Sequence, residues 1–295
     1  TSVSKREVKD VSFEAHFSKR VSYVLTTKNR SLYLRNTLAW VKELLTPQDE
    51  LIVVDGGSGT DVFDVLDEYR DIIDLIISEP DISVAHAFNK GILLARGRYI
   101  RQICDDDTMD GAQMRRAMNI LDAHPEVDIM VCGGIKRFGK RNAVVCVPPG
   151  VHYGSSPEDA LRYKACGAGF IYRKRGLAKA GLMPIGSAAD TEMIARAIHE
   201  GAVVKFCRIP LYHHPIFEHS YIISKRSEHL RDQFRIARQY CSFLFYLGFR
   251  IRMSAHHNFF IKKMKKIRKK ILLMFGTDTK RKKNPIACEW DGGFS

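Results

Sequence analysis

Residues 97–107 read GRYIRQICDDD, an apolar strand pattern that ends in three consecutive carboxylates. Helical periodicity begins near Gly111, shortly after this stretch. Three adjacent acids at the end of a strand repel one another and lower the local stability. Hard divalent ions such as Mg²⁺ and Mn²⁺ prefer carboxylate oxygens, so the stretch indicates a cation site. An acidic surface turn is the alternative interpretation of the triplet taken by itself.

Strand and helix patterns alternate on the amino-terminal side of this stretch. The sequence predicts strands at 21–25, 50–54, 74–77 and 99–103, with helices at 31–45, 61–69 and 83–95. This βαβαβαβ order implies a parallel sheet flanked by helices, and such sheets bind ligands beyond the carboxyl ends of their strands. Each of the four strands ends in polar or Gly-rich residues. We therefore expect one edge of the sheet to carry a site.

The pattern becomes mixed between residues 125 and 219. Short strands are predicted at 129–132, 143–147, 169–172 and 203–207, and helices at 158–164, 174–180 and 191–200. We interpret this segment as the second half of the same domain. Beyond residue 220 the chain is predicted to be mainly helical.

The positive charge of the chain is concentrated near its C-terminus. At 295 residues, 45% hydrophobic and 27% charged, the chain has the size and composition of a folded soluble protein. The formal net charge is +14, but residues 225–283 alone contain 18 Lys/Arg against 3 Asp/Glu. The remainder has 29 Lys/Arg against 30 Asp/Glu. The sequence therefore predicts a neutral globular body with a basic extension.

The cysteines and the apolar runs bear on the cellular compartment. None of the seven cysteines forms a Cys-X-X-Cys pair, which argues against a disulfide framework or a zinc site and for a reducing compartment. The N-terminus lacks the apolar core of a signal peptide, and no apolar run approaches the roughly 18–20 residues that span a bilayer. We therefore expect a cytoplasmic location.

Five motifs in order resemble the family 2 inverting glycosyltransferases of the bacterial surface-glycan type. They are Val24–Arg30, Asp55–Ser58, Ser78–Asp81 with Ala87–Gly91, Asp105–Asp107, and Ala189–Glu192. The resemblance covers roughly residues 21–220 and implies an α/β GT-A nucleotide-diphospho-sugar transferase fold, a Rossmann-like mixed sheet flanked by helices. Two positions depart from the family pattern, since Thr26 replaces the usual Pro and His86 replaces an acid.

The resemblance assigns the acidic triplet to a metal and sugar-nucleotide site. Mn²⁺ or Mg²⁺ would be held by Asp107, with Asp105 and His214 as further ligands, and His213 and His219 are alternatives to His214. Such a cation would neutralise the diphosphate leaving group. The residues that the resemblance implies for the nucleotide pocket are Thr26, Arg30, Asp55, Asp81, Lys90, Asp105 and Asp106.

A base must take the proton from the acceptor hydroxyl as it attacks the anomeric carbon. Asp190 is the predicted base, at the start of a helix whose N-terminus keeps a carboxylate ionised. A simple helix N-cap is the alternative role for Asp190. Glu192 is the second candidate base, or it orients the acceptor. The small residues 166–169 are expected to line the sugar and the acceptor.

An apolar stripe runs through a basic segment near the C-terminus. Its members are spaced 4, 3, 4 and 3 residues apart and are Phe260, Met264, Ile267, Ile271 and Met274. A strongly basic amphipathic helix of this kind favours an anionic membrane surface. A helix packed on the body and a nucleic-acid patch are the alternatives, and the aromatics do not alternate with basic residues as a stacking platform requires. We therefore expect no nucleic-acid partner.

The motifs together predict an inverting, metal-dependent glycosyltransferase. We expect a UDP-type hexosyl or N-acetylhexosaminyl donor, a glycan or lipid-linked acceptor, and a location at the inner face of the cytoplasmic membrane. The predicted organisation is an arm at 1–20, a catalytic domain at 21–220 and a basic helical region at 221–295. A non-catalytic sugar-nucleotide-binding scaffold subunit is the alternative function.

Overall fold

A mixed β-sheet organises the part of the chain that the structure describes. The structure is a computed structural model, and it describes residues 17–138, 144–146, 152–154, 156–163, 165–216 and 226–253. Ten strands of these residues belong to the sheet: β1 Lys19–Thr27, β2 Glu50–Asp55, β3 Leu75–Ser78, β4 Gly97–Cys104, β5 Thr108–Met109, β6 Ile129–Phe138, β7 Val144–Cys146, β8 His152–Tyr153, β9 Phe170–Arg173 and β10 Val204–Ile216.

Helices alternate with the strands along the chain. They are α1 Ser31–Leu44, α2 Thr60–Glu68, α3 Val84–Leu94, α4 Gly111–Ala123, α5 Glu158–Arg162, α6 Lys174–Ala180, α7 Ala189–His199, α8 Arg226–Tyr240 and α9 Phe243–Met253, with short 3₁₀ turns at Arg70–Ile72 and Gly167–Gly169. This mixed α/β order confirms the predicted fold class. The predicted helix at 191–200 begins two residues earlier, at Ala189.

The strand order creates a topological switch point between β1 and β4. The sheet runs β3-β2-β1-β4-β9-β6-β10-β5, with β7 beside β6 and β8 beside β10. The pairs β3–β2, β2–β1 and β1–β4 are parallel, whereas β9 is antiparallel to both β4 and β6. The chain moves outward from β1 to β3 and then returns to place β4 on the other side of β1. Ligands of open α/β sheets bind at such a crevice, beyond the carboxyl ends of the two strands.

Apolar residues on both faces of the sheet hold the helices in place. Helices α1, α2 and α4 bury residues such as Leu38, Val65 and Met118 in one continuous core with one face of the sheet. Helix α3 covers the opposite face, where the Cβ of any larger residue at Gly91 would lie 2.3 Å from the Val24 side chain. Glycine at this position therefore allows the helix to approach the sheet closely.

Two units divide the chain. The compact unit that contains the sheet runs to Tyr246 and includes α8. The second unit starts at Leu247, and of it the structure describes residues 247–253, within α9. The amphipathic segment predicted at 260–274 and most of the predicted arm at 1–20 lie outside the described residues. The predicted domain boundaries stay predictions. None of the described helices has both the length and the apolar character to cross a bilayer.

Candidate active site

The acidic triplet forms a tight turn at the carboxyl end of β4, and α1 holds the backbone of this turn. The Asp107 N–H donates to the Cys104 carbonyl at 3.1 Å, which closes the turn. The Thr37 hydroxyl donates to the Asp105 carbonyl at 2.7 Å, and the Trp40 indole donates to the Asp107 carbonyl at 3.1 Å. Side chains of α1 thus fix the carbonyl oxygens of Asp105 and Asp107.

Asp105 is buried in the switch point between β1 and β4. Its carboxylate accepts a hydrogen bond from the Thr27 hydroxyl at 2.9 Å and pairs with Arg30 at 2.8 Å. Burial raises the pKa of Asp105 to about 6, although Arg30 and Thr27 both oppose the rise. The side chain of Arg30 also reaches Asp106 at 2.9 Å. One guanidinium therefore pairs with two of the three acids.

The carboxylates of Asp106 and Asp107 and the imidazole of His214 come together as a candidate metal site. Their ligand atoms lie within 4.8 Å of one another, and the His214 Nδ1 lies 2.7 Å from an Asp107 oxygen. Two carboxylates and one imidazole are suitable ligands for a divalent cation such as Mn²⁺. The structure therefore differs from the predicted ligand set in one residue. Asp106 takes the place of Asp105, whose buried carboxylate accepts a hydrogen bond from Thr27 in addition to its pair with Arg30.

The antiparallel pairing of β5 with β10 selects His214 over its neighbour. His213 lies opposite Thr108 in this pairing. Adjacent strand residues point to opposite faces of a sheet, so His213 and His214 cannot both reach the acidic turn. His214 is the one that does, since its Nδ1 lies 2.7 Å from an Asp107 oxygen. The other alternative, His219, lies outside the described residues.

Asp190 lies across from the acidic turn, on the face of β4 that carries Gln102 and Cys104. A Cβ placed on Gly167 would be 2.9 Å from an Asp190 carboxylate oxygen and 3.2 Å from the Gln102 side-chain oxygen. Burial raises the pKa of the Cys104 thiol, and the carboxylates of the triplet and Asp190 raise it further. Asp190 is therefore within electrostatic reach of the end of β4. Gly167 leaves the space that its carboxylate occupies.

Glu192 has a different environment from Asp190. It is buried, and both of its carboxylate oxygens accept hydrogen bonds from Arg235 of α8, at 2.8 and 2.5 Å. A carboxylate held in this way by a guanidinium is not available as a base. The predicted alternative role of Glu192 as base or acceptor contact is therefore not supported by its hydrogen bonds.

Asp55 organises the loop after β2. The fully buried carboxylate accepts hydrogen bonds from the Gly57 N–H at 3.2 Å, the Ser58 N–H at 3.0 Å and the Ser78 hydroxyl at 2.7 Å, and the Ser58 hydroxyl donates to it as well. Gly57 has a φ of 80°, which this turn requires and which glycine adopts readily. The predicted nucleoside contact of Asp55 stays a prediction, since the described donors all come from its own loop and from β3.

The remaining predicted nucleotide-pocket residues divide into two groups. Thr26 lies in the β1–β4 pairing opposite Cys104 and is buried there. Asp81 and Lys90 form an ion pair at 2.9 Å, to which His86 adds a contact with Asp81 at 3.1 Å. Arg30, Asp105 and Asp106 therefore meet at the switch point, whereas Asp81 and Lys90 form a separate cluster beside α3.

Several residues that build the site were not predicted. Thr27, Thr37 and Trp40 fix the acidic turn, and the buried Arg101 donates hydrogen bonds to the Phe170 carbonyl at 3.2 Å and to the Ala168 carbonyl. Two features of the sequence could have indicated such residues: the alternation of side chains along β1 and the charged Arg101 inside an apolar strand. Neither signal gives the partner, because the partners lie at least 10 residues away in the chain.

The strand order of the sheet and the acidic turn correspond to a known fold. A mixed sheet of this order with a carboxylate–imidazole group at its switch point is the GT-A fold of nucleotide-sugar glycosyltransferases. Residues 22–145 match the family described as "Glycosyl transferase family 2". This match, over somewhat less than half of the chain, agrees with the family that the motifs predicted. No curated protein matches the sequence.

Solved structures of low sequence identity share the fold. Residues 1–349 of TarS from S. aureus in complex with UDP-GlcNAc superpose with a TM-score of 0.61 at 16% identity, covering 74% of this chain and 66% of that chain. The mannosyltransferase PcManGT from Pyrobaculum calidifontis in complex with GDP-Man and Mn²⁺ gives a TM-score of 0.57 at 19% identity, covering 76% and 65%. The chain thus spans just under two thirds of each of these relatives.

We expect Asp105→Asn to stabilise the ligand-free protein at neutral pH. The pKa of Asp105 in the folded protein, about 6, lies above the ordinary value of 3.8. Between these two pH values the folded protein therefore binds a proton more readily than the unfolded chain. The free energy of unfolding therefore falls as pH rises from about 4 to about 6. The neutral amide removes this loss, which is about 3 kcal/mol at pH 7. Urea unfolding at pH 4 and pH 7 measures the effect.

The exposed Asp64→Asn on α2 is the control for Asp105→Asn. The difference between Asp105→Asn and the wild type should be small at pH 4 and largest at pH 7. A variant that is less stable than the wild type at pH 7 would contradict the expectation.

We expect Gly167→Ala to impair turnover with little effect on stability. The new methyl group meets the end of the Asp190 side chain at 2.9 Å, and a side-chain end moves more easily than backbone. The displaced carboxylate should lower turnover about tenfold or more. Steady-state kinetics and thermal unfolding test both parts, with Gly111→Ala as the control because its nearest neighbour lies at 3.5 Å. Wild-type turnover in Gly167→Ala would show that the position of Asp190 is unimportant.

Proposed function

We propose that this protein transfers a sugar from a nucleotide-diphosphate donor to a hydroxyl group, with inversion at the anomeric carbon. The observation that carries the proposal is the pairing of two different groups at the switch point. Asp106, Asp107 and His214 form a cation-binding group after β4, and Asp190 lies on the neighbouring face of the same strand end. The leaving diphosphate needs a cation that balances its charge, and the attacking hydroxyl needs a base. The sugar lies between these two groups.

The donor half of the reaction belongs to the acidic turn. A divalent cation bound by Asp106, Asp107 and His214 would neutralise the charge that develops on the diphosphate. Arg30 lies beside these residues and is half-buried against the ring of Tyr33, at 4.5 Å. Its guanidinium is suited to bind phosphate oxygens at the same edge. The UDP-GlcNAc and UDP complexes of TarS support a UDP-type donor.

The acceptor half of the reaction belongs to Asp190. A single displacement at the anomeric carbon inverts its configuration and needs one base on the side opposite the leaving group. Asp190 is the candidate base, since Arg235 holds the carboxylate of Glu192. Gly167, next to it, leaves the space that the Asp190 carboxylate occupies. The acceptor class, a glycan or a lipid-linked sugar, is part of the proposal.

We further propose that the protein works at the inner face of the cytoplasmic membrane. Helix α9 exposes apolar side chains at spacings of one helix face, with Phe243 74% and Leu244 80% exposed, followed by Leu247 and Ile251. Residues 254–283 then contribute 11 Lys/Arg against one Asp/Glu. Apolar side chains followed by dense positive charge are typical of segments that bind anionic lipid surfaces.

We expect release of nucleoside diphosphate from one nucleotide sugar to require a divalent cation. A panel of UDP-, dTDP- and GDP-sugars is incubated with Mn²⁺, Mg²⁺ or EDTA, and the released diphosphate is measured. Asp107→Asn should lower the rate at least about a hundredfold, because the diphosphate loses its counter-charge. The exposed Asp64→Asn serves as the matched control. Metal-independent release would contradict the proposed mechanism, and nucleotide binding without any release would favour the non-catalytic scaffold.

We expect the protein to bind vesicles that contain anionic lipid and not vesicles of phosphatidylcholine alone. Replacing Lys262, Lys263, Lys265 and Lys266 by Gln should weaken binding at least tenfold, since each basic residue near the surface contributes about 1 kcal/mol. Co-sedimentation at low and high salt measures the effect. Equal binding to both kinds of vesicle, or no loss in the Gln variant, would overturn the membrane proposal without affecting the transferase proposal.

A further inference from the structure

The first turn of α7, which carries the candidate base Asp190, lacks a cap from its own chain segment. Its N-cap residue is Ala188, whose side chain has no acceptor for the free N–H groups. The first N–H groups of a helix need acceptors, and a helix end without them is poorly fixed. The segment that leads into this turn is instead held by a different helix, α8.

Asp232 of α8 holds the residue that precedes the N-cap of α7. One oxygen of its carboxylate accepts hydrogen bonds from the Ser187 N–H at 2.8 Å and from the Ser187 hydroxyl at 2.6 Å. Burial opposes the ionisation of Asp232, but the hydrogen bonds from Ser187 and Ala188 lower its pKa overall. On the same helix, the His229 Nδ1 lies 2.8 Å from the Ser187 carbonyl, and Gln233 contacts the other ring nitrogen at 2.9 Å.

Arg235 makes the second attachment between the two helices. Its guanidinium binds both oxygens of Glu192, at 2.8 and 2.5 Å, and Glu192 is only 6% exposed. A two-pronged pair of this kind fixes direction as well as distance. Arg235 also lies 3.9 Å from Asp232, so the two attachments belong to one network on a single face of α8.

These two attachments flank the candidate base. Ser187 precedes Asp190 by three residues and Glu192 follows it by two. Helix α8 therefore contacts both sides of Asp190, through the backbone N–H of Ser187 and through the side chain of Glu192. We propose that Asp232 and Arg235 are positioning residues, which fix the first turn of α7 so that the Asp190 carboxylate meets the acceptor hydroxyl. The inference rests on the proposed function and extends the catalytic unit beyond residue 220 to include α8.

The remainder of α7 is held independently of α8. Met193, Ile194, Ala195 and Ala197 are fully buried, so the body of the helix is anchored by apolar packing. Loss of Arg235 therefore loosens the first turn more than the whole helix. A displacement of about 1 Å in a catalytic group is enough to lower a rate a hundredfold.

The test compares Arg235→Met, Arg235→Lys and Arg238→Met in the full-length protein. Arg238 lies on the same helix three residues further along and is exposed, so its substitution controls for the loss of one positive charge. Turnover is measured as diphosphate release with water as acceptor, using whichever of UDP-GlcNAc, UDP-glucose and GDP-mannose the wild type hydrolyses. UDP affinity in the presence of Mn²⁺ is measured by calorimetry.

We expect kcat of Arg235→Met to fall at least tenfold while KM and the UDP affinity stay within twofold of the wild type. Arg235→Lys should recover part of kcat, and Arg238→Met should resemble the wild type. Equal kcat in Arg235→Met and Arg238→Met would overturn the positioning role. A parallel loss of kcat, UDP affinity and thermal stability in Arg235→Met would also overturn it, because such a loss indicates a purely structural role. A wild type that neither binds UDP nor releases it from any donor would instead overturn the proposed function, and the positioning role with it.

Discussion

The parallel register between β1 and β4 is the constraint on which the candidate site depends. It aligns Thr26 with Cys104, so that the next residues, Thr27 and Asp105, emerge side by side from the edge of the sheet. Hydrogen bonding along the two strands sets this alignment, and a slip by one residue would turn every side chain to the other face. The acidic turn then has one possible direction, toward the crevice where the strand order reverses.

Helix α1 connects this turn to the hydrophobic core. Arg30 immediately precedes the helix and pairs with Asp105 and Asp106. Thr37 and Trp40, on the helix, donate hydrogen bonds to carbonyls of the turn. The same helix buries Leu34, Leu38 and Val41 against the sheet. The core thus fixes α1, and α1 fixes the three crowded carboxylates. This is why repulsion between them is compatible with a folded turn.

The sequence was sufficient for the fold, but not for the partners of the candidate residues. Strand and helix periodicity predicted the alternating elements, and the polar strand ends predicted the edge that carries the site. The predicted metal set contained Asp105, whereas the structure groups Asp106 with Asp107 and His214. Periodicity does not distinguish three adjacent acids in a turn, because the turn geometry and the reach of Arg30 decide which carboxylate is already paired. Contacts such as Thr37 with Asp105 join distant segments and have no local signal.

Charge compensation, more than residue type, separates the acids of this site into different roles. Asp190 and Glu192 are two residues apart on one helix, yet their surroundings differ. The carboxylate of Glu192 is paired with Arg235, whereas that of Asp190 lies beside Gly167. A buried carboxylate that is paired with a guanidinium stays ionised, but it cannot accept a proton without breaking that pair. The ion pair thus gives Glu192 a connection to α8, while the carboxylate of Asp190 lies beside Gly167.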